Sequence, residues 1–472
     1  MNVLLINPPF IEIYGNYSAA AKVGAQPQMP LGICYIAAAL EKGGHKVTLI
    51  DSEIEGMSVL DLVELVKKDR PRVVGVTGAT PVYNSSRMVL EKIKEAVPEV
   101  ITVMGGFHIT ALPDKVMEEC PAVDYGIVGE GEVTVVELLK ALEDGSPLEE
   151  IKGVIYRGKN KIMRTPARPP TEDLDSMTFP ARHLLRMDKY IWSVMDKGMV
   201  PVTSIITQRG CPAACIFCGV QTMFPGKTRY RSVDNILDEI QEVIDRYGVA
   251  HIMFCDDTLT LNRQKVVSMC GKIKERGLRF TFEGYTRANT VTLELLEMLK
   301  EVGLVRLSFG VETGNQEIMK AIKKGVRLEE IKQAYAWCGQ AGIETRCSLM
   351  LGHPFETRET IEQTIAFAKS LDCSQAYINI TTPYPGCELY EMAKKGYGGL
   401  RLLTNDWKEY RRYGNAVMEM NDLTAHDLIE WQNKAYKEFY MRPRIIWDNM
   451  KRAGFKAAVV NSWAFFKSVL LK

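Results

Sequence analysis

Thr207-Gln-Arg-Gly-Cys-Pro-Ala-Ala-Cys-Ile-Phe-Cys218 places three cysteines, Cys211, Cys215 and Cys218, in one short loop with the spacing Cys-x-x-x-Cys-x-x-Cys. Thiolates this close together bind one iron–sulfur cube, because cysteine is the usual ligand of each cluster iron. A [4Fe–4S] cube has one more iron than this loop has thiolates, so one iron is left for a ligand that is not protein. The alternative is a structural zinc knot, which needs a closed set of four ligands. The nearest further cysteines and histidines are His183, His251 and Cys255, and none lies in the loop.

Around this loop, from Val202 onward, short apolar runs alternate with helical patterns. That order predicts a partial (β/α)6 barrel over residues 201–395, with the chemistry at the carboxyl ends of the strands. The first strand, Thr203–Thr207, leads into the cysteine loop. Later strands lead into Asp256-Asp257, Tyr285-Thr-Arg287, Gly310-Val-Glu312, Gly352-His-Pro-Phe-Glu356 and Pro383-Tyr-Pro-Gly386. The triad, the aromatic Phe217 before its last cysteine and the series of strand-end motifs resemble the radical S-adenosylmethionine (radical SAM) superfamily. The resemblance implies that the open iron chelates the amino and carboxylate groups of S-adenosylmethionine. It also implies that Asp256 or Asp257 contacts the methionine amino group, that Arg287 and Glu312 contact carboxylate and ribose, and that Gly352 lets the adenosyl moiety approach. Taken singly, each of these carboxylates reads equally well as a helix N-cap. His353 and Cys387 are read as packing or solvent-facing groups, since a lone histidine identifies nothing and an unligated cysteine behaves as a small hydrophobe.

Residues 1–145 show a second alternation, which predicts a Rossmann-like, doubly wound parallel sheet. Its strands are expected at Val3–Ile6, Lys46–Ile50, Val73–Thr77, Ile101–Met104 and Tyr125–Val128. Ligands of such sheets bind beyond the strand carboxyl ends. Those ends carry Asn7-Pro-Pro-Phe10, Asp51, Thr77-Gly-Ala-Thr80, Gly105-Gly-Phe-His108 and Gly129-Glu-Gly-Glu132. Together with Pro30-Leu-Gly32, these motifs resemble the cobalamin-binding domain that precedes the barrel in many radical SAM enzymes. The resemblance places Asn7, Thr77, Thr80, Gly105, Gly106, Gly129 and Glu130 at the cobalamin, with its nucleotide tail beside Thr77, Thr80, Gly105 and Gly106. The methionine-synthase type of this domain has a cobalt-binding histidine after its first strand. Here that loop is Asn7-Pro8-Pro9-Phe10, so cobalamin is expected without a protein histidine on cobalt, His108 included.

Residues 146–200 read as a connector: a hairpin of Val154–Arg157 and Lys161–Arg164, then a proline-rich stretch from Pro166 to Pro180 that holds no regular element. Residues 396–472 read as helical, with one helix over Ala425–Met441 and another from Ile445 to the end. Arg442, Arg444, Lys451, Arg452, Lys456, Lys467 and Lys472 face one acid, Asp448, among interleaved aromatics. Such a tail either touches a membrane surface or packs on the barrel with a solvated basic face. The chain has 59 basic and 58 acidic residues, which argues against a nucleic-acid partner. Its N-terminus is broken by Pro8 and Pro9 too early for a signal peptide, and no apolar run is long enough to span a membrane. Eleven cysteines without disulfide-like spacing suit a reducing compartment, so the expectation is a cytoplasmic protein with possible peripheral membrane contact.

The remaining cysteines fall singly. That pattern argues against an auxiliary cluster, and against the methylthiotransferases, which resemble this layout but carry three ligand cysteines in the N-terminal domain. The leading expectation is a cobalamin-dependent radical SAM enzyme that methylates an unactivated carbon of a small-molecule or lipid-like substrate. A flavodoxin- or ferredoxin-type one-electron reductant would feed it. The alternatives are a non-methylating cyclase or rearrangement enzyme, resembling the anaerobic magnesium-protoporphyrin ester cyclase, and a cobalamin-binding sensor without catalysis.

Overall fold

The computed structural model describes residues 1–9, 27–159, 161–194, 197–411 and 414–447. These fall into two compact units, of which the first takes residues 1–9, Pro27–Tyr190 and Gly219–Arg231, and the second takes Ile191–Cys218 and the described residues from Ser232 onward.

The first unit is built on strands β1 (Asn2–Asn7), β2 (Lys46–Asp51), β3 (Val73–Thr77), β4 (Ile101–Gly105), β5 (Tyr125–Ile127), β6 (Val154–Arg157) and β7 (Ile162–Arg164), in the order β2-β1-β3-β4-β5-β6-β7. The first five are parallel, and β1 reads Val3-Leu-Leu-Ile6 without polar interruption because helices cover both of its faces. Chain order 2-1-3-4-5 reverses between β1 and β3, the position at which doubly wound sheets bind ligands. The hairpin β6–β7 joins this sheet as its antiparallel edge, so the first part of the expected connector belongs to the first unit. The proline-rich stretch that follows holds only a short 3-10 turn, Leu174–Ser176.

The second unit carries β8 (Ile191–Val194), β9 (Gly198–Ile205), β10 (His251–Phe254), β11 (Thr281–Thr286), β12 (Leu304–Glu312), β13 (Glu344–Leu351) and β14 (Gln375–Ile380). Their order is β14-β13-β12-β11-β10-β9-β8, with six parallel strands and an antiparallel β8, in a curled half-barrel. Helices fill each crossover. Val233–Tyr247, for example, starts at the Ser232 side chain, which accepts from Asn235 N–H, and stops at Gly248 in the left-handed region.

An open half-barrel leaves β14 as an edge strand with unpaired backbone groups. The helix Ala425–Tyr440 satisfies them with side chains. Tyr436 Oη accepts from Ile378 N–H at 3.0 Å, Gln432 Nε2 donates to Ile378 O at 2.8 Å, and Tyr440 Oη both accepts from Ala376 N–H and donates to Ala376 O. The helical reading of the C-terminal segment misses one element ahead of this helix. Strands β15 (Leu400–Leu402) and β16 (Met418–Met420) form a short antiparallel pair that buries Leu400, Met418 and Met420. Three-residue strands leave too little alternation to be seen as a period. The basic tail from Asp448 to Lys472, like Phe10, lies outside the described residues. Among the described residues no helix is long and apolar enough to cross a membrane.

Tyr436→Phe removes one hydroxyl with no change of shape and leaves the buried Ile378 N–H without its acceptor, at a cost of about 1–3 kcal/mol. Amide exchange at Ile378 should accelerate and the urea midpoint should fall. Exchange identical to the parent's contradicts the edge-capping role.

Candidate active site

The cysteine loop leaves β9 and is fixed at its start by Asp256, which follows β10. Asp256 is 1% exposed, and Oδ1 accepts from Thr207 N–H at 2.7 Å and Gln208 N–H at 3.0 Å while Oδ2 accepts from Thr207 Oγ1 at 2.9 Å. Burial pushes its carboxyl up to about 6, opposed by these hydrogen bonds. Gln208 Nε2 donates to Thr258 O, and Cys211 Sγ lies 3.9 Å from Thr258 Oγ1. Gly210, at φ 92°, makes the bend into Cys211 that a side chain would resist. Farther along, Ile216 N–H donates to Ile322 O and Ile216 O accepts from Leu389 N–H, so the loop is held on two sides.

Around the thiols the structure places several of the expected residues. Arg287 Nη1 stands 3.5 Å from Cys215 Sγ, and its other terminal nitrogen donates to Lys324 O. Phe217 lies 6.1 Å from the His353 ring, with Lys324 Nζ 5.9 Å from its centroid. Lys324 also pairs with Glu312 at 2.6 Å, both nearly buried. Glu312 sits at φ 65°, where the β12–β13 register shifts, a strained backbone of the kind that clusters at functional sites. Among the described residues no three cysteine, histidine or carboxylate groups converge on a single-ion position. A cube makes no such demand, since each thiolate binds a different iron. A loop fixed at both ends, with a guanidinium beside one sulfur, fits that group.

Two expected contacts take a different form. Asp256 is occupied by the loop it anchors, whereas the neighbouring Asp257 is exposed. Nearby protein nevertheless desolvates the Asp257 carboxyl and raises it to about 6. At Gly352, φ is 101°, and the place of a Cβ is bounded by Met420 and Leu428 of the C-terminal segment. Backbone conformation and this packing, in place of an open approach for a ligand, account for the glycine. His353 is fully buried, held neutral by a burial-lowered pKa of about 3, with the Glu312 backbone opposing the shift. Glu356 accepts from Gly352 N–H and His353 N–H, and burial raises it to about 7. Cys387 is buried and its Sγ donates to Tyr384 O at 2.8 Å, as packing requires.

In the first unit the expected residues gather at the carboxyl edge of the sheet. Asn7 Nδ2 donates to Asp51 Oδ1, and Asp51 Oδ2 accepts from Tyr190 Oη at 2.6 Å. Gly106, at φ 100°, brings the β4 loop so close to Gly78 and Thr77 that a Cβ would stand 2.9 Å from them. Gly78 N–H donates to Gly105 O and His108 N–H donates to Gly78 O, which ties the two loops into one wall. Beside that wall, Gly129 has open space where a side chain would be, and Gly105 meets only Ile127 at 3.9 Å. A clear glycine-lined edge fits a large flat ligand. Thr80 is turned inward, with Oγ1 3.0 Å from His108 Nδ1, and His108 is fully buried and stacked on Tyr83 at 4.0 Å. Burial lowers His108 to about 3, and neither residue is left on the open edge.

Glu130 departs from its expected place at the ligand. Its carboxylate is taken by Arg229 Nη2 and Thr171 N–H, while Arg229 Nη1 donates to Thr171 O at 2.6 Å. The segment Gly219–Arg231, which continues from Cys218, is thereby clamped to the strand-end loop of the first unit. Phe107 lies against Gly219 so closely that no Cβ fits there. Arg229, Phe107, Tyr190 and Lys324 escaped the sequence reading, since each gains its meaning from a partner far away in the chain.

Two outcomes test this geometry. Asp256→Ala strands the Thr207 and Gln208 N–H groups, at about 1–3 kcal/mol. Anaerobically reconstituted protein should then hold less iron per chain, and parental loading contradicts the anchor. For Asp257, the carboxylate predominates above a pKa of about 6 and the neutral acid below it. Binding of the cationic S-adenosylmethionine should therefore strengthen as pH rises through this range, and Asp257→Asn should flatten the profile. An unaltered slope in that variant removes Asp257 from the site.

The comparisons with known proteins agree with this arrangement. The model of the radical SAM superfamily matches residues 205–368, and that of the B12 binding domain matches residues 18–139. An uncharacterized methyltransferase of Pyrococcus horikoshii is 34% identical over 446 residues, covering 94% of each chain. The anaerobic magnesium-protoporphyrin IX monomethyl ester cyclase of Rubrivivax gelatinosus is 28% identical, covering 93% of this chain and 78% of its own. In fold, the chain is similar to the radical S-adenosylmethionine methyltransferase TsrM from Kitasatospora setae, with a TM-score of 0.73 at 18% identity over 99% of this chain and 98% of that one. The chain belongs to the radical SAM enzymes that carry a B12 binding domain.

Proposed function

We propose that this protein methylates an unactivated carbon of a small-molecule substrate, with S-adenosylmethionine as both radical source and methyl donor. The observation that carries the reading is the coexistence, in one chain aligned over nearly its full length with a methyltransferase, of the anchored three-cysteine loop and a glycine-lined B12-type sheet edge. When bound, the cluster and the corrinoid supply one-electron chemistry and methyl carriage.

The protein's own residues do the positioning. Cys211, Cys215 and Cys218 hold the cluster, and Asp256 fixes the loop that carries them. Arg287, beside Cys215 Sγ, stabilises negative charge on sulfur through a charged hydrogen bond. Asp257 offers a carboxylate to the methionine amino group, and the Glu312–Lys324 pair presents a fixed polar edge to the nucleoside. Burial keeps His353 in its neutral form. On the first unit, Gly105 and Gly129 would leave the edge clear for cobalamin, and His108 is buried and stacked on Tyr83, away from that edge. A flavodoxin- or ferredoxin-type donor supplies electrons, and the eight cysteines outside the cluster loop, all free, suit a reducing compartment.

The cyclase relative at 28% identity supports a second reading, oxidation without methyl transfer. Product analysis separates them. Methylation forms S-adenosylhomocysteine and 5′-deoxyadenosine together in substrate-dependent turnover. Deoxyadenosine without S-adenosylhomocysteine would select the cyclase-type reaction, and absence of both would contradict enzymatic function of either kind.

A further inference from the structure

We propose that the substrate is a small, water-soluble molecule rich in hydrogen-bonding groups, seated on the concave face of the second unit's sheet, and not a lipid or tetrapyrrole. The inference rests on the reading of the chain as a radical enzyme, and it adds the class of molecule that the barrel receives.

Strand geometry defines the face. Successive side chains point to opposite sides of a sheet, and residues in parallel register share a side. Glu283, Arg306 and Glu344 are register partners on β11, β12 and β13, and they are joined by ion pairs of 2.7 and 2.8 Å. Arg346 adds a contact of 3.5 Å to Glu283. These carboxylates and guanidinium groups balance one another and close the base of the face without surplus charge. The opposite face is apolar. Leu349, Ile378 and Ile380 are each no more than 3% exposed, and Phe309 packs on Tyr335 of the helix Leu328–Gln340.

Above the charged base, toward the strand carboxyl ends, the concave face carries Tyr285, Ser308, Ser348, Tyr377, Asn379 and Thr381. The register pairs Tyr285↔Ser308, Ser348↔Tyr377 and Met350↔Asn379 put the strand residues on one side, with the half-buried thioether of Met350 beside Asn379 on the same wall, and Thr381 follows the end of β14. Tyr285 is 37% exposed, and Ser348, Tyr377 and Asn379 are half-buried, although their strand neighbours are fully buried. Such a pattern marks an accessible wall. On β14 and just beyond it, Asn379 Oδ1 and Thr381 Oγ1 have no hydrogen-bond partner, although Thr381 is only 1% exposed.

A hydrocarbon ligand would strand the accessible Tyr285, Ser348 and Tyr377 hydroxyls away from water, each at the desolvation penalty of an unmade hydrogen bond. A polar ligand satisfies them. The unpartnered Asn379 and Thr381 oxygens mark where it would donate or accept. Because the base is neutral as a whole, the substrate needs hydrogen-bonding groups more than net charge.

The test uses the cluster-reconstituted, cobalamin-loaded full chain with S-adenosylmethionine and a reductant. The probes are the aqueous and the chloroform phases of an extract of the source cells, and the readout is 5′-deoxyadenosine. The aqueous phase should stimulate its formation. Asn379→Leu, Thr381→Val and the milder Tyr377→Phe should each need about tenfold more of that phase for half-maximal stimulation, as expected for a lost hydrogen bond to the ligand. Equilibrium dialysis should find S-adenosylmethionine binding to these variants unchanged. Stimulation by the chloroform phase alone, or by neither phase, overturns the proposal. So does a parental response in all three variants, or a loss confined to S-adenosylmethionine binding. Stimulation by the aqueous phase without S-adenosylhomocysteine would uphold the substrate class and remove the methylase reading.

Discussion

A buried carboxylate cannot be left without partners, and Asp256 meets that requirement by holding the first residues of the cysteine loop. Two backbone N–H groups and one hydroxyl from Thr207 and Gln208 converge on it from the end of β9, while Asp256 itself is fixed by the end of β10. The β9–β10 pairing and the position of Cys211 are thus one constraint. From there Gly210 turns the chain, Thr258 lies beside Cys211, and Arg287 reaches Cys215. The loop is placed by strands, which is why three thiols in an irregular segment can be held for one cluster.

The same strands divide the unit into two chemistries. The convex face is apolar and sealed by helices, and the concave face rises from a group of buried ion pairs to a wall of hydroxyls, phenols and an amide, with Met350 among them. Removing one partner of a buried pair is far more costly than the pair is worth, on the order of 3–5 kcal/mol, so the base is rigid. The helix Ala425–Tyr440 completes the frame by supplying three polar side chains to the strand edge that a closed barrel would have paired.

Strand positions were legible in the sequence because buried parallel strands are continuous apolar runs. Val3–Ile6 and Val73–Thr77 were expected and lie within Asn2–Asn7 and Val73–Thr77. The cysteine spacing was equally plain. Parity and long-range pairing were not. Asp256 and Asp257 are indistinguishable in sequence, yet one is buried under the loop and the other exposed. In sequence Gly352 reads as room for a ligand, but its φ of 101° and its Met420 neighbour give the reason for glycine. Glu130 and Arg229 meet across 99 positions, and no local pattern announces such a pair.

The central claim is that three thiolates leave one cluster iron open and that S-adenosylmethionine occupies it. Electron paramagnetic resonance of the reduced, reconstituted protein tests it most directly. Adding S-adenosylmethionine should change the g-values of the cluster signal, because a new ligand alters the iron it binds. A signal indifferent to saturating S-adenosylmethionine, in protein with full iron content, would contradict the account.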